Sequence, residues 1–151
     1  MTMNEIHICN ATPADRDAVM ALLTEQGLPL DGLADHFDTA VVARQGSRIV
    51  GSAALEMYEE GALLRSVAVD PSVRSIGLGR RLTDAALDRA RARHAPAVYL
   101  LTTTADGFFP RFGFTRITRD DVPESVKRSV EFRSACPASA VVMRKTLSAE
   151  C

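Results

Sequence analysis

The sequence predicts a single α/β domain built on a mixed, mostly antiparallel sheet. Strand and helix patterns alternate along the chain with no linker, repeat or low-complexity segment between them. Three strand patterns between residues 39 and 69 are joined by short turns, which is typical of antiparallel pairing. The third is followed by a helical pattern and another apolar strand, which indicates a parallel crossover. A chain of 151 residues has the length of one domain.

The first part of the chain predicts an edge strand followed by two helices. Residues 5–10 alternate polar and apolar side chains, as an edge strand does. Thr12 is a candidate N-cap, and the helix after it carries an apolar stripe and ends at Gly27. A shorter helix over residues 33–37 has Asp31 placed to cap it. These elements carry no functional motif of their own.

The next elements form a meander of three strands. Residues 39–45 and 48–58 are typical of a hairpin, with its turn at Gly46-Ser47. A second turn at residues 59–61 leads into a strand over residues 62–69. We therefore expect these strands to be neighbours in the sheet.

A helix connects the strand 62–69 to the next part of the sheet. Apolar residues between positions 78 and 94 fall on one helical face, and the arginines between them are typical of a solvated face. Residues 97–103 are apolar without strict alternation, which indicates a buried parallel strand. Together these elements predict a right-handed βαβ crossover. A short helix over residues 105–112 follows and ends at Gly113.

The loop between the strand and the long helix carries the most informative pattern. Gly77 and Gly79 stand one residue apart directly before the helix, so the backbone N–H groups there can point at one anion. Glycine lets the backbone approach that anion with no Cβ in the way. Nearby positive charge comes from Arg74, Arg80 and Arg81. The pattern predicts a site for a phosphorylated cofactor, and a plain strand-to-helix turn is the alternative.

The spacing of the glycines separates the known phosphate-binding motifs. A dinucleotide fingerprint needs a third glycine where Leu82 stands, and a P-loop needs Gly-Lys-Ser/Thr, which is absent. The remaining pattern, Arg-x-x-Gly-x-Gly, resembles the GCN5-related N-acetyltransferase (GNAT) superfamily. The resemblance implies acetyl-coenzyme A as cofactor and no metal. The cofactor-binding residues it implies are Val67, Ala68, Val69, Arg74, Ser75, Ile76, Gly77, Leu78 and Gly79.

A second motif, Phe108-Phe109-Pro110-Arg111-Phe112-Gly113-Phe114, strengthens this resemblance. In the superfamily, a short helix ending in aromatic-x-x-x-Gly-Phe follows the second core strand and packs beside the coenzyme. We expect Phe109 to face the cofactor and Phe114 to seal the core. The GNAT fold so implied has a sheet of about seven strands, a central βαβ unit and helices on both faces.

The usual proton-transfer residues of the superfamily are missing. Its base is often a Glu early in the strand before the phosphate loop, and its acid a Tyr on the short helix; the corresponding positions look like Leu63 and Phe109. Glu56 and Tyr58 are the nearest substitutes, and Glu56 is the candidate base. A surface carboxylate, or catalysis with ordered water alone, remains an alternative. We expect a backbone N–H on strand 67–69 to polarise the acetyl carbonyl.

A narrower resemblance concerns the substrate. The sequence looks like the acetyltransferases found with arsenic-resistance genes and, more loosely, the acetyltransferase domain of N-acetylglutamate synthase. The segments that carry this resemblance are Leu64-Arg65-Ser66-Val67-Ala68-Val69, Leu101-Thr102-Thr103-Thr104-Ala105, the loop Val122-Pro123-Glu124-Ser125-Val126-Lys127, and Phe132-x-Ser134-x-Cys136-Pro137. Both relatives imply a small amino-acid substrate, either glutamate or an arsenic- or phosphorus-containing analogue.

An acidic amino acid needs fixed cations, because arginine and lysine bind carboxylates through charge-assisted hydrogen bonds. Arg65 and Lys127 are the first candidates, and Thr102 is a candidate hydrogen-bonding residue. Arg111 and Arg133 are further candidates, and a solvated charge is the alternative for each. Cys136 invites a role with arsenic, but a cysteine before proline is more often a small buried residue.

Composition narrows the class of partner. The chain has 18 Lys and Arg against 19 Asp and Glu, so no nucleic-acid or membrane surface is indicated. Its 3 cysteines lack disulfide or zinc spacing, and no targeting segment is visible. We expect a cytoplasmic enzyme that acts on a small molecule, either as a monomer or as a homodimer. A coenzyme-binding sensor without catalysis is the alternative from another class.

Overall fold

The computed structural model describes residues 6–28, 30, 32–103, 107–129, 132 and 140–147. In these residues seven strands form one sheet in the order β1-β2-β3-β4-β5-β7-β6. The strands are β1 (Ile6–Asn10), β2 (Val41–Gln45), β3 (Arg48–Tyr58), β4 (Gly61–Val69), β5 (Ala97–Thr102), β6 (Thr115–Ile117) and β7 (Val141–Thr146). Only β4 and β5 pair in parallel, so the predicted mixed, mostly antiparallel sheet is confirmed.

The helices lie between these strands. The α-helices are α1 (Arg16–Glu25), α2 (Leu78–Ala92) and α3 (Glu124–Lys127). Short 3-10 helices cover Pro13–Asp15, Leu33–Thr39, Pro71–Ile76, Phe109–Phe112 and Arg119–Asp121. None of the helices in the described ranges is long and apolar enough to cross a lipid bilayer.

The predicted turns and caps of the first half agree with the structure. Thr12 and Asp15 form a reciprocal capping box at the start of the first helix. Gly46 takes the left-handed conformation, at φ 65°, between β2 and β3. The predicted cap Asp31 lies outside the described residues. β2 begins at Val41 rather than at residue 39, because the Thr39 hydroxyl closes the preceding 3-10 helix by donating to the carbonyls of His36 and Leu55.

The second half contains elements that the sequence did not predict. The segment expected as a loop before Lys127 forms the single turn α3, stabilised by N–H groups of Val126 and Lys127 that donate to the Pro123 carbonyl. β7 inserts between β5 and β6, so that Val141–Thr146 form an inner strand of the sheet. The short helix expected over residues 105–112 covers Phe109–Phe112, and residues 104–106 lie outside the described part of the chain.

Helices cover both faces of the sheet, as the resemblance implied. One apolar cluster joins α2 to the sheet through residues such as Leu82, Leu55 and Leu100. On the opposite face, α1 and the 3-10 helix Leu33–Thr39 pack on Ala54 and Ala68. Val126 of α3 packs there too, in a cluster with Leu63 and Tyr99. We call these the α2 face and the α1 face.

Two irregularities open the middle of the sheet. β4 pairs with β5 at Ala62↔Val98 and Leu63↔Tyr99, and no later pair joins these strands in the residues that the structure describes. The register between β3 and β4 also shifts between Ser52 and Ala54. A bulge at this shift re-aims the backbone and lets β4 diverge from β5. The second half of β4 therefore borders a gap in the sheet.

A partly buried ion pair joins the first helix to the meander. The Arg44 guanidinium donates to both oxygens of the Asp15 carboxylate, one at 2.8 Å. These bonds, with those from Thr12, hold the pKa of Asp15 below its ordinary value of 3.8.

We expect Asp15→Asn to lower the free energy of unfolding by about 1.5–3 kcal/mol at neutral pH, the range for hydrogen bonds to charged groups. Because the folded carboxyl has the lower pKa, its stabilisation is complete above 3.8 and is lost as the pH falls through the folded pKa. Urea unfolding at a series of pH values tests this. The difference between wild type and variant should shrink in acid, and a difference that is constant with pH would contradict the assignment.

Candidate active site

The turn that leaves β4 is fixed by Asp70. Its carboxylate accepts from the Ser72 N–H at 2.9 Å and the Ser72 hydroxyl at 2.7 Å, and Arg48 donates to its other oxygen at 2.7 Å. The Ser72 N–H, then the Ser72 hydroxyl and Arg48, hold the pKa of Asp70 below its ordinary value. The 3-10 helix Pro71–Ile76 follows and delivers the chain to the start of α2.

The start of α2 presents backbone N–H groups. Gly77 is the N-cap, at φ 75°, and has no side chain with which to cap the helix. The Arg81 N–H donates to the Gly77 carbonyl at 3.3 Å, so the N–H groups of residues 78–80 have no acceptor within the helix. The positive end of the helix dipole lies at the same place. This geometry suits an anion.

The surroundings of Gly79 indicate whether the folded protein or a bound ligand requires glycine at this position. A Cβ at this position would lie 3.6 Å from Phe108 Cζ and 3.7 Å from Val69 Cγ2, which is ordinary van der Waals contact. The φ of Gly79 also lies outside the left-handed region. The folded chain therefore has room for a side chain at Gly79, and a phosphate approaching the amides is what would exclude one.

The rest of the predicted cofactor loop divides into backbone and side-chain contributions. Ala68 is buried on the α1 face and Val69 on the α2 face, while Val67 is half-buried. Their peptide groups, more than their side chains, are what a cofactor in the gap could contact. Leu78 is fully buried in the core. The side chains of Arg74, Ser75 and Ile76 lie outside the described part of the structure.

The arginines at the start of α2 have different surroundings. Arg80 is exposed to solvent. Arg81 is also exposed, and its guanidinium donates to the Ile6 carbonyl of β1 at 3.5 Å. Among the arginines singled out from the sequence, Arg80 is thus the one whose described side chain extends into solvent beside the loop.

From the sequence we expect Phe109 to face the cofactor, and the structure places Phe108 and Phe109 in different surroundings. Phe109 is 6% exposed and packs edge-on against Phe114, with ring centroids 5.8 Å apart, so it belongs to the core. Phe108 is half-buried and is the ring nearest to Gly79. Phe108 is therefore better placed than Phe109 to face a cofactor at the loop. Because both residues are phenylalanine, the local pattern does not distinguish them, and only the direction of the short helix does.

The bulge in β4 is held by hydrogen bonds. Ser66 has φ 60°, in the left-handed region that a non-glycine residue rarely adopts. Its carbonyl accepts from the Ser52 hydroxyl at 2.8 Å, and its own hydroxyl accepts from Arg65 Nε at 3.1 Å. Further along, the Gln26 side chain donates to the Val69 carbonyl at 2.6 Å. These bonds fix the peptide groups that border the gap.

Glu56 lies close to this bulge and is not a surface carboxylate. It is 1% exposed, and its Cα is the direct cross-strand partner of Leu63. Its Oε2 accepts from Arg65 at 2.7 Å, and its Oε1 accepts from the Tyr58 hydroxyl. The alternative of a solvated carboxylate on the strand is therefore wrong. A charged carboxylate in this position depends on these donors, because burial without them is costly.

Arg65 occupies a different place from the one predicted for a substrate clamp. Its side chain has no exposed surface, and its guanidinium contacts Glu56 and Ser66. β-strand alternation places Arg65 and Leu63 on one face, directly beside Glu56, and the opposite charges pair there. In this structure Arg65 holds the candidate base and the bulge rather than facing an open cleft.

The remaining predicted substrate residues do not all share a face. Lys127 lies on α3, on the α1 face with Glu56, and its side chain is 33% exposed. Thr102 continues the alternation of Val98 and Leu100, which belong to the α2 face. Arg111 is exposed on the short helix. Arg133 and Cys136 lie outside the described residues.

One residue near Glu56 was missed. His36, in the 3-10 helix Leu33–Thr39, has its Nε2 3.7 Å from Glu56 Oε1, and its ring centroid lies 5.9 Å from that of Tyr58. No local pattern links positions 36 and 56, which meet only because the 3-10 helix packs on β3. A lone histidine in a segment without a motif gave no signal for this contact.

Comparisons with known proteins agree on one family. The family model described as Acetyltransferase (GNAT) family matches residues 2–114. The chain is 27% identical over 134 residues to an amino-acid acetyltransferase of Neisseria meningitidis, covering 85% of this chain and 30% of that protein. It therefore spans less than a third of that relative's length. It is 30% identical over 150 residues to an uncharacterized N-acetyltransferase of Chlorobaculum tepidum, covering 91% and 94% of the two chains.

Solved structures show the same fold. N-acetylglutamate synthase from Neisseria gonorrhoeae, complexed with coenzyme A and N-acetyl-glutamate, matches with a TM-score of 0.81 and 23% identity, over 96% of this chain and 36% of that one. A protein of Mycobacterium tuberculosis in complex with CoA matches with a TM-score of 0.80 and 25% identity, over 94% and 99% of the two chains.

Proposed function

The chain belongs to the GNAT family of acetyltransferases, and from that premise we propose that it transfers the acetyl group of acetyl-coenzyme A to the α-amine of a small amino acid. The observation that carries the proposal is the uncapped, glycine-lined start of α2 beside the gap between β4 and β5. Acetyl-coenzyme A supplies the acetyl group as a thioester. The relatives named as amino-acid acetyltransferases support an amino acid as acceptor.

The cofactor residues act through their backbone. The N–H groups at the start of α2 hold the pyrophosphate, and Arg80 adds positive charge beside them. Peptide groups of residues 67–69 border the gap, where an N–H polarises the acetyl carbonyl. Ser52 and Gln26 fix the carbonyls on either side of this segment, at Ser66 and Val69. The donors are therefore oriented before the substrate arrives.

Proton removal is assigned to Glu56. The amine of an amino acid is protonated near neutral pH and must lose a proton before it can attack a carbonyl. Glu56 is the buried carboxylate beside the bulge, and Arg65 and Tyr58 fix its two oxygens. Leu63 and Phe109, which occupy the positions of the family's usual base and acid, carry no exchangeable proton. The carboxylate that accepts the proton is therefore proposed to come from Glu56 on β3, because Leu63 on β4 has none.

The substrate proposed is glutamate or a glutamate-shaped analogue that contains arsenic or phosphorus. Lys127 lies on the α1 face, as Glu56 does, so the ammonium and a carboxylate of one small molecule can be held from the same side of the sheet. The N-acetyl-glutamate bound to the structurally similar synthase supports a glutamate-like acceptor. The arsenic- or phosphorus-containing analogue is supported by the sequence resemblance.

A thiol-release assay tests the proposal. The protein is given acetyl-coenzyme A with glutamate, a phosphinothricin-like amino acid and an arsenical amino acid, each beside the matched amine that lacks the α-carboxylate. Turnover that requires the free α-amine and the carboxylate supports the proposal, and N-acetylglutamate serves as the blocked control. Turnover of glutamate alone among the amino acids would indicate a metabolic enzyme similar to N-acetylglutamate synthase.

We expect Lys127→Met to raise the KM for the amino acid by about 10- to 100-fold, because one charge-assisted hydrogen bond to a carboxylate is lost. The KM for acetyl-coenzyme A should stay unchanged. Arg128→Met is the matched control, since Arg128 is an exposed cation that directly follows α3. An unchanged amino-acid KM in Lys127→Met would assign the carboxylate to another cation.

A second candidate function is a coenzyme-binding module without catalysis. Leu63 and Phe109 favour this function, because apolar side chains at the positions that correspond to the family's usual base and acid cannot transfer a proton. Calorimetry separates the two candidates. Tight binding of acetyl-coenzyme A with no thiol release for any amine in the panel would favour the binding module.

A further inference from the structure

In the part of the chain that the structure describes, Glu56 has almost no surface exposed to solvent. It is 1% exposed, and Arg65, which holds one of its oxygens, has no exposed side-chain surface. A base that accepts a proton in each cycle must release it before the next cycle. The release must therefore pass through another side chain in contact with the Oε1 side of the carboxylate.

Among the residues that the structure describes, Tyr58 and His36 lie beside that oxygen. The Tyr58 hydroxyl already donates its single proton to Oε1, so it holds the carboxylate but cannot accept a further proton while it donates. His36 Nε2 lies 3.7 Å from the same oxygen, and the side chain of His36 is 29% exposed. Imidazole both accepts and releases protons near neutral pH. His36 thus joins the buried carboxylate to the surface.

The position of His36 is set by the fold. Thr39 anchors the 3-10 helix because its hydroxyl proton is shared between two carbonyls. One is the carbonyl of His36 in the same helix, and the other is the carbonyl of Leu55 on β3. Phe37, the next residue, is buried in the cluster on the α1 face. The residues that follow His36 are therefore fastened to the protein, and the imidazole lies beside Tyr58. Catalytic hydrogen bonds are often longer than ideal before substrate binds, so 3.7 Å suits a contact that closes during turnover.

We propose that His36 is the group through which Glu56 exchanges its proton with solvent. This inference rests on the proposed function. The N–H bond of the substrate ammonium breaks, its electron pair stays on nitrogen, and an O–H bond forms on Glu56. That proton then moves from Oε1 to His36 Nε2, and the imidazolium loses a proton to water from its exposed side. Glu56 ends ionised and His36 ends neutral, the imidazole returns to its starting tautomer by proton exchange with water, and one proton has passed to solvent.

The experiment compares wild type with His36→Gln, His36→Ala and the control His7→Gln, which changes an exposed histidine on β1. We expect kcat for the amino acid to fall on the order of tenfold or more in both His36 variants, since a positioned proton-transfer group contributes at least that much. The KM values and the calorimetric affinity for coenzyme A should stay at the wild-type level. Added imidazole should restore kcat in His36→Ala and leave His7→Gln unchanged.

A merely structural His36 gives different results. We call the proposed proton transfer from Glu56 through His36 to solvent the relay. It would be overturned if kcat, coenzyme A affinity and thermal stability all fell in the His36 variants and added imidazole did not restore kcat in His36→Ala. Wild-type turnover with a full-rate His36→Gln would also overturn the relay and leave the proposed function standing. Wild-type protein that releases no thiol with any amine would overturn the proposed function and the relay together. If His36→Ala fails to fold, the solvent deuterium isotope effect on kcat of His36→Gln decides: a larger effect than in wild type supports the relay, and an equal one overturns it.

Discussion

Gly79→Val is expected to abolish acetyl-coenzyme A binding while the protein stays folded. Among the described residues, those nearest to a Cβ at this position make ordinary contacts, at 3.6 Å from Phe108 and 3.7 Å from Val69. A phosphate bound to the amides of the first turn of α2 has to approach the same space. A branched side chain therefore keeps the anion away from its donors, which removes charge-assisted bonds worth about 1.5–3 kcal/mol each.

Calorimetry with coenzyme A measures this loss, and thermal unfolding checks the fold. Gly107→Val is the matched control, because a Cβ at Gly107 meets nothing within 4 Å and its φ is not left-handed. Gly79→Ala should weaken binding less than Gly79→Val, since a methyl group intrudes less. A folded Gly79→Val variant with wild-type affinity would show that coenzyme A does not bind at this loop.

The parts of the fold that the sequence predicted are those encoded by short-range chemistry. Gly46 and Gly113 stand where the chain takes positive φ, and Thr12 stands where a helix needs a cap. Each of these signals acts within a few residues, so a pattern in the sequence is sufficient to find it. The glycine loop belongs to the same kind, because the function proposed for it lies in the backbone of consecutive residues.

The parts that it did not predict depend on contacts between distant segments. Glu56 and Arg65 are separated by a hairpin, and they meet only in the register that pairs Ala54 with Arg65 and Glu56 with Leu63. The residue with positive φ in the bulge is Ser66 and not a glycine, so the sequence gives no sign of this conformation. His36 reaches Glu56 only after a 3-10 helix has packed on β3. Burial of Glu56 follows from these events together, which is why a surface position was the more ordinary expectation.

Glu56→Gln is expected to lower kcat by about 10²- to 10⁴-fold, the contribution of a positioned general base. Glutamine keeps nearly the same shape and can still accept a hydrogen bond from Arg65, but it cannot take a proton from an ammonium. The KM for acetyl-coenzyme A should not change, because the cofactor contacts proposed above lie at the start of α2 and at the end of β4. Steady-state kinetics of thiol release with the best amino acid measures both quantities.

Stability has to be separated from catalysis in this variant. Removing the charge of Glu56 leaves the buried Arg65 guanidinium without its partner carboxylate, and breaking a buried pair in this way costs about 3–5 kcal/mol of folding free energy. The double variant Glu56→Gln/Arg65→Met removes the unpaired charge as well. It should regain part of the stability in urea unfolding, while kcat stays as low as in the single variant.

The two measurements together identify what Glu56 does. If its role were only to neutralise Arg65, removing both members of the pair would restore kcat together with stability. If Glu56 takes the proton, stability returns and turnover does not. A stable Glu56→Gln variant with the full rate would remove Glu56 from the reaction, and the proton would then leave the amine through water or through the substrate itself.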